Sequence, residues 1–415
     1  MRRILDVYLY DVYAGQLVQD DSGVLSYAYD LSYLAKSNPA ISLSLPLRSE
    51  DYEGKIVKAF FSGMLPEELV RHRLARYLGV SEKNPFALLE VIGGECAGAL
   101  SLYPEGQAPP EAKKDDVEIL DDKKLKEILK LLKRQPLLAG DDGLRLSLAG
   151  AQDKIAVRIQ SGKISLVRGS TPTTHILKPV ISDIKDSVHN EFFCMQLSQL
   201  MGIETPNVNI RWLGETPYYL VERYDRTTDE NGHITRLHQE DFCQALGIMP
   251  DIKYEREGGP NITQCREVLL KHSATPAADH MSFLKRIIFN YVIGNADTHG
   301  KNFSLLYKDI KPNLSPNYDL LCTSAYSELS TKMAMKIGGK YRPEDVFLRH
   351  WNQLVPDTMA SRRNLEAQLK KVSQELVERA YTLKETLSSE GIKSSIFDDI
   401  GKTITKRAKH IRQLW

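Results

Sequence analysis

Asp297, His299, Lys301 and Asn302 crowd into one polar octapeptide, Asn295-Ala-Asp-Thr-His-Gly-Lys-Asn302, and Asp319 follows within Pro316-Asn-Tyr-Asp-Leu-Leu. Phosphoryl transfer needs a carboxylate beside the attacking hydroxyl, oxygen ligands for Mg²⁺, and a cation on the phosphate oxygens. The two segments carry all three. Asp297 to Asn302 has the D-x-x-x-x-N spacing by which a kinase catalytic loop offers a base and then a metal ligand, and a later Asp supplies the second metal carboxylate. Asp319 fits that place. Lys178, at the end of Thr174-His-Ile-Leu-Lys, can reach phosphates, and Glu191 in the first turn of the next helix can hold it there. Taken singly, Asp297 is better explained as a turn cap, Asp319 as a helix N-cap and Glu191 as an answer to a helix dipole. The ordered set of five points to phosphoryl transfer. Other chemistries find no such set, because the sequence has no H-E-x-x-H, no G-x-S-x-G, no G-x-x-x-x-G-K-[ST] and no G-x-G-x-x-G run.

These residues need rigid carriers. Leu284, Ile287, Ile288, Tyr291 and Val292 fall at helical spacing just ahead of the polar loop, so a helix over 277–293 buries one face and delivers Asp297. Upstream, Leu144, Leu146 and Leu148 alternate with Arg145 and Ser147, and Ile155, Val157 and Ile159 repeat the alternation, which predicts strand, turn, strand. The turn Ala149-Gly-Ala-Gln-Asp-Lys154 has small residues that let backbone N–H groups approach a phosphate. Alone it is weak, since most such turns hold nothing. Further strands are expected at 163–167, 174–178 and 218–224, a short apolar run at 303–307 follows the polar loop, and helices are expected at 190–201, 240–246, 361–387 and 395–415.

The chain divides by composition into an α/β segment (1–107), a linker with an amphipathic helix (108–140), a β-rich segment (141–227) and a helical segment (228–415). The first holds strand-like runs at Leu5–Leu9 and Ala40–Leu45 and a helical stretch near Ala59–Tyr77. From Pro104 to Asp116, Pro, Glu, Lys and Asp dominate, a composition poor in buriable surface. The helix expected over Asp121–Arg134 is basic on one face, which an ordinary surface helix explains better than a membrane or a partner.

Over 415 residues, 55 Lys+Arg stand against 54 Asp+Glu, so no bulk electrostatic partner is announced, and 42% hydrophobic residues exclude wholesale disorder. Asp6 and Asp11 interrupt any signal-peptide core after Met1-Arg-Arg3, and no apolar run reaches membrane-spanning length, so export and a membrane are not expected. Five dispersed cysteines without a C-x-x-C pair read as packed thiols in a reducing cytoplasm. The basic run Lys402, Lys406, Arg407, Lys409, Arg412 is more simply a solvated helix face than a DNA contact.

The runs Leu146-Ser-Leu-Ala-Gly-Ala-Gln-Asp-Lys154, Thr171-Pro-Thr-Thr-His-Ile-Leu-Lys178, Val221-Glu-Arg-Tyr-Asp-Arg226, Gln239-Glu-Asp-Phe-Cys-Gln244, Lys253-Tyr-Glu-Arg-Glu-Gly-Gly-Pro260, Asp297-Thr-His-Gly-Lys-Asn-Phe-Ser304 and Asn317-Tyr-Asp319 together resemble the HipA toxin kinases of bacterial type II toxin–antitoxin modules. The likeness extends to Leu43-Ser-Leu-Pro-Leu47, Phe60-Phe61 with Leu65-Pro66, and Asn84-Pro-Phe-Ala-Leu-Leu-Glu90. It implies an α+β, bilobal protein-kinase-like fold related to lipid kinases, with an extra N-terminal α/β subdomain and a mainly helical C-terminal lobe. It implies ATP and Mg²⁺, transfer to a protein serine or threonine on an aminoacyl-tRNA synthetase, stalled translation and dormancy, a HipB-like helix-turn-helix antitoxin, and operator DNA bound through that complex.

Carried over by motif, the resemblance makes Asp297 the base, Asn302 and Asp319 the Mg²⁺ ligands and Lys178 a phosphate contact. Ala149, Gly150, Ala151, Gln152, Asp153 and Lys154 become the phosphate loop, and Glu222, Arg223 and Tyr224 the hinge against adenine. His299, Lys301 and Tyr318 line the nucleotide. Ser147 matches the family's autophosphorylated serine, whose added charge opposes loop closure and ATP. Lys178 is followed directly by Pro179, and Asp153 stands where the family commonly has Glu; neither departure touches the chemistry. Two other readings stand beside this one: a small-molecule phosphotransferase, which shares the Asp, Asn, Asp order, and a catalytically silent co-repressor acting through the antitoxin.

Overall fold

A computed structural model describes residues 2–36, 38–110, 117–141, 143–169 and 171–415. The linker residues 111–116 and Asp142 therefore lie outside the described residues. The chain forms two compact units. The first collects 1–179, 211–252 and 304–312, and the second 180–210, 253–303 and 313–415.

The first unit begins with an antiparallel sheet in the order Tyr52–Glu53, Leu25–Tyr29, Val12–Gln19, Arg3–Leu9, Leu100–Pro104. Leu5, Val7 and Leu9 are buried on one face of their strand, with Asp6 buried between the first two, and Leu17 and Tyr27 meet across the next register pair. Helices Lys55–Gly63, Glu68–Leu78 and Pro85–Ile92 follow. Asn84 caps the last through the Ala87 N–H, with Pro85 in the first turn. The helical stretch expected near 59–77 is thus two helices broken before Pro66, where the missing N–H and fixed φ interrupt the turn. Residues 40–45 contribute only an isolated bridge, Ser42 with Leu45.

A second sheet runs Val208–Leu213, Thr216–Glu222, His175–Lys178, Ile155–Gln160, Lys163–Val167, Val117–Ile119. One apolar core is continuous from Leu5 and Phe60 through Leu146 and Ile155 to Leu220. The strand expected over 144–148 is absent. Leu144, Leu146 and Leu148 are buried as the alternation requires, yet the backbone makes only single parallel bridges, Leu146 with Glu95 and Gly150 with Pro66. Apolar alternation records burial of one face, and a ladder needs a neighbouring edge as well. The expected 240–246 helix is a strand, His238–Asp241, paired with Ser304–Tyr307, followed by one turn at Phe242–Ala245 that Asp241 caps.

The second unit is helical. Met359–Ser389 packs along Ile396–Arg412, and both lie on Ser187–Leu200 and Pro276–Ile293. Pro276–Ile293 buries nearly all round in its last three turns, as a central helix does. Among the described residues no helix is long and apolar enough to cross a membrane. All five cysteines are buried thiols, and burial pushes Cys96 up to about 12 and Cys322 to about 11.

Candidate active site

Gly294, at φ 77°, ends the central helix in the left-handed conformation that a side chain resists, and the chain turns at once into the polar loop. Asn295 accepts the N–H of Asp297 at 3.1 Å. Ala296, Thr298, His299, Gly300, Lys301 and Asn302 are buried, and Asp297 alone in this run is exposed. A carboxylate displayed from an otherwise buried loop is placed to meet an external hydroxyl.

Asn302 is held in both directions. Its Oδ1 accepts the His299 N–H at 3.1 Å, and its Nδ2 donates to Asp319 Oδ2 at 2.9 Å. Seventeen positions apart, the two residues assigned to the metal are in direct contact. Asp319 stands at φ 57°, a strained setting for a residue with a side chain, as functional sites often show. Tyr318 donates to the Lys301 carbonyl at 2.7 Å, tying this segment to the loop a second time. One carboxylate and one amide fit Mg²⁺, which takes one or two protein oxygens and completes its shell with water and phosphate oxygens.

Sequence reasoning missed a neighbour. Tyr254 donates its hydroxyl to Asp297 Oδ1 at 2.6 Å, and its ring meets His299 edge-on at 5.2 Å. Pro260, from the same Lys253–Pro260 run, lies where a Cβ on Gly300 would meet its Cγ at 2.6 Å, so glycine is required for this approach. The segment after Asp319 closes the far side: Ala334 donates to the Ala296 carbonyl at 2.9 Å, and Lys336 N–H to Glu255 at 2.6 Å. No local periodicity connects 254 or 334 with 297.

Apart from Glu191, the remaining residues belong to the first unit. Lys178 is buried, paired across the sheet with Tyr219, its Nζ 5.6 Å from that ring. Glu191 is buried in the second unit. In the loop 149–154, Gly150 has φ 114°, a conformation that resists a side chain, and Lys154 Nζ donates to the Ala149 carbonyl at 2.6 Å, where a Cβ on Gly150 would displace this flexible ammonium end. Ala151 is exposed, Gln152 donates to the Pro179 carbonyl at 3.1 Å, and Asp153 pairs with Arg73 at 2.6 Å. Ser147 is not the solvated serine its alternation with leucines allows: it is fully buried and donates to the Met64 carbonyl at 2.8 Å.

Glu222 is exposed at the end of its strand, and Tyr224 donates its hydroxyl to Gln239. The guanidinium of Arg223 turns inward to Asp225 and Glu95. In the C-terminal helix, Lys402 pairs with Asp399 at 2.9 Å and Arg407 lies 5.3 Å from the Tyr291 ring, so part of the basic run is engaged within the unit.

The fold and the loop define an α+β, kinase-like protein. It superposes on HipA of Shewanella oneidensis, solved with HipB and its operator DNA, with a TM-score of 0.82 over 99% of each chain at 24% identity. The HipA N-terminal domain model matches residues 5–103 and the HipA-like C-terminal domain model residues 146–381. The chain belongs to the HipA family. It is 41% identical over 99% of both chains to the kinase-named protein Y4mE of Sinorhizobium fredii. It is 30% identical to the serine/threonine-protein kinase toxin HipA of Shewanella oneidensis, over 83% of this chain and 80% of that one.

Proposed function

We propose that this HipA-family kinase is a toxin that transfers the ATP γ-phosphoryl group to a serine or threonine of a cytoplasmic protein, with an aminoacyl-tRNA synthetase as the favoured class of substrate. The observation that carries the reading is the meeting of Asn302 with Asp319 beside an exposed Asp297. Asp297 accepts the hydrogen bond of the acceptor hydroxyl and takes its proton late in the transfer. The hydroxyl oxygen bonds to the γ-phosphorus as the bond to the β,γ-bridging oxygen breaks, and ADP leaves. Lys178 and Lys301 place positive charge on phosphate oxygens, and the 149–154 loop offers them backbone N–H groups. Glu222 and Tyr224 border adenine, and His299 and Tyr318 flank the nucleotide. Asn302 and Asp319 would hold Mg²⁺, which supplies charge neutralisation between the phosphates.

The same proposal keeps 1–107 as the extra N-terminal subdomain, 108–140 as a linker, and 141–227 and 228–415 as the kinase lobes. It takes a HipB-like antitoxin as partner, with operator DNA bound through it; the Shewanella structure containing both supports this by fold. Phosphorylated Ser147 is the self-inactivated state. A dianionic group cannot remain in the buried place that Ser147 now occupies, so the segment must leave it. A phosphopeptide map after incubation with Mg-ATP, showing phosphate elsewhere and none at Ser147, would refute that assignment.

The deciding experiment is radiolabelled ATP transfer in a cell lysate with parent and Asp297→Asn proteins side by side. Labelled protein bands that vanish in the variant support the reading. Label confined to small molecules makes the chain a small-molecule phosphotransferase, and label in neither leaves it a silent co-repressor.

A further inference from the structure

Four charges outside the chemistry are almost fully buried together: Glu95, Arg223, Asp225 and Arg226. Glu95 Oε1 accepts from Thr173 Oγ1 at 2.7 Å, Arg223 Nη1 at 3.1 Å and Arg226 Nη2 at 2.5 Å. Asp225 accepts from Arg223 at 2.9 Å and from the Gly98 N–H at 2.7 Å. Burial raises both carboxylates' affinity for a proton, and the two arginines more than reverse it, so both stay ionised. Desolvating such ions costs several kcal/mol each, and apolar side chains of the same volume commonly hold a fold as well or better. What the ions add is direction and distance.

Glu95 comes from the family's N-terminal domain and yet bonds both Arg223 in the segment read as the hinge and the 145–147 stretch that leads into the 149–154 loop. Its side chain grips Thr173, just before the Lys178 strand, and the arginines on either side of Tyr224. Its backbone brackets the lead into the phosphate loop: Glu95 N–H donates to the Arg145 carbonyl at 2.7 Å, and Ser147 N–H to the Glu95 carbonyl at 2.8 Å. The loop's other edge leans on the same domain, with Glu67 N–H donating to the Gly150 carbonyl at 3.1 Å.

We propose that Glu95 is a positioning residue for nucleotide binding: its backbone holds the lead into the 149–154 loop while its buried side chain fixes Thr173, Arg223 and Arg226, so that one residue sets the spacing between loop and hinge. The inference rests on reading those two segments as the nucleotide site. Glu95→Gln keeps the shape and removes the charge that aligns both arginines. Thr173→Val removes one hydrogen bond to the same carboxylate.

In the full-length protein, Glu95→Gln is expected to raise KM for ATP and to weaken Mg-ADP binding by calorimetry about tenfold, with kcat at saturating ATP within about twofold. Thr173→Val moves the same two quantities the same way by about threefold. A lower melting temperature with KM and ADP affinity unchanged overturns the proposal and leaves Glu95 a structural residue, as does a fall in kcat alone. Should Glu95→Gln fail to fold, the Thr173→Val pair of constants decides. A parent that binds no Mg-ADP overturns the nucleotide reading and this inference with it, whereas a parent that binds and variants that bind equally well overturn this inference alone.

Discussion

The 295–302 and 149–154 loops are both short, polar and turn-rich, and they are held in different ways. In 295–302, local bonds, Asn295 with Asp297 and Asn302 with His299, are joined by longer-range ones from Tyr254, Asp319 and Ala334, on a loop that follows the central helix. The 145–150 segment is held by Met64, Glu67 and Glu95, fifty to eighty-three residues away. A loop with internal bonds of its own keeps part of its shape when a distant contact is lost, and a segment held mainly from a distance inherits every change in its props.

The largest effect should come from within the 295–302 loop itself. Asp297→Asn is expected to lower phosphoryl transfer about 10²- to 10⁴-fold while Mg-ADP affinity stays within about twofold. Equal rates for parent and variant would remove Asp297 from the chemistry.

On the propped side, Glu240 is fully buried where Ser42 and Tyr307 hydroxyls at 2.5 Å and the Leu43 N–H at 3.0 Å meet it. Burial outweighs these donors and pushes its carboxyl from 4.5 to about 7. The folded state then holds a proton that the unfolded state has released, so stability falls as pH rises from 4.5 to about 7, by at most about 3 kcal/mol. Denaturant titrations at pH 5 and pH 8 should show this loss in the parent and a flatter profile in Glu240→Gln. A steeper profile in the variant would contradict the assignment.

Gly300→Ala sets a Cβ against Pro260 and should cost about 1–3 kcal/mol of stability, with kcat reduced because Tyr254 moves with that loop. An unchanged melting temperature would mean that the 253–260 run yields freely. Tyr254→Phe, the smallest change, keeps the ring on His299 and removes the hydroxyl from Asp297. A several-fold fall in kcat with unchanged KM for ATP is expected, corresponding to about 1 kcal/mol for one hydrogen bond to a carboxylate. A rise in kcat would instead make Tyr254 an occupant of the acceptor's place.

Legibility followed the same divide. The helix 276–293 and the strands at Lys163–Val167 and His175–Lys178 were within reach of periodicity, because each depends on neighbours along the chain. The 144–148 segment was not: three buried leucines imitate a strand, and only the absence of a ladder partner makes it an extended strap. Tyr254 and Glu95 carry no pattern that ties them to 297 or to 147.

What the sequence by itself determined was the ordered set of Asp297, Asn302 and Asp319 and the helix that presents the first, since local spacing and a 3.6-residue period need only the chain's own geometry. What the tertiary structure decided was which way Arg223 and Ser147 face, that Tyr254 bonds Asp297, and that Glu95 links the 145–147 stretch to Arg223 and Arg226. Those outcomes depend on burial and on hydrogen-bond partners brought together from distant segments, and a pair of buried polar groups leaves no mark in either neighbour's local sequence.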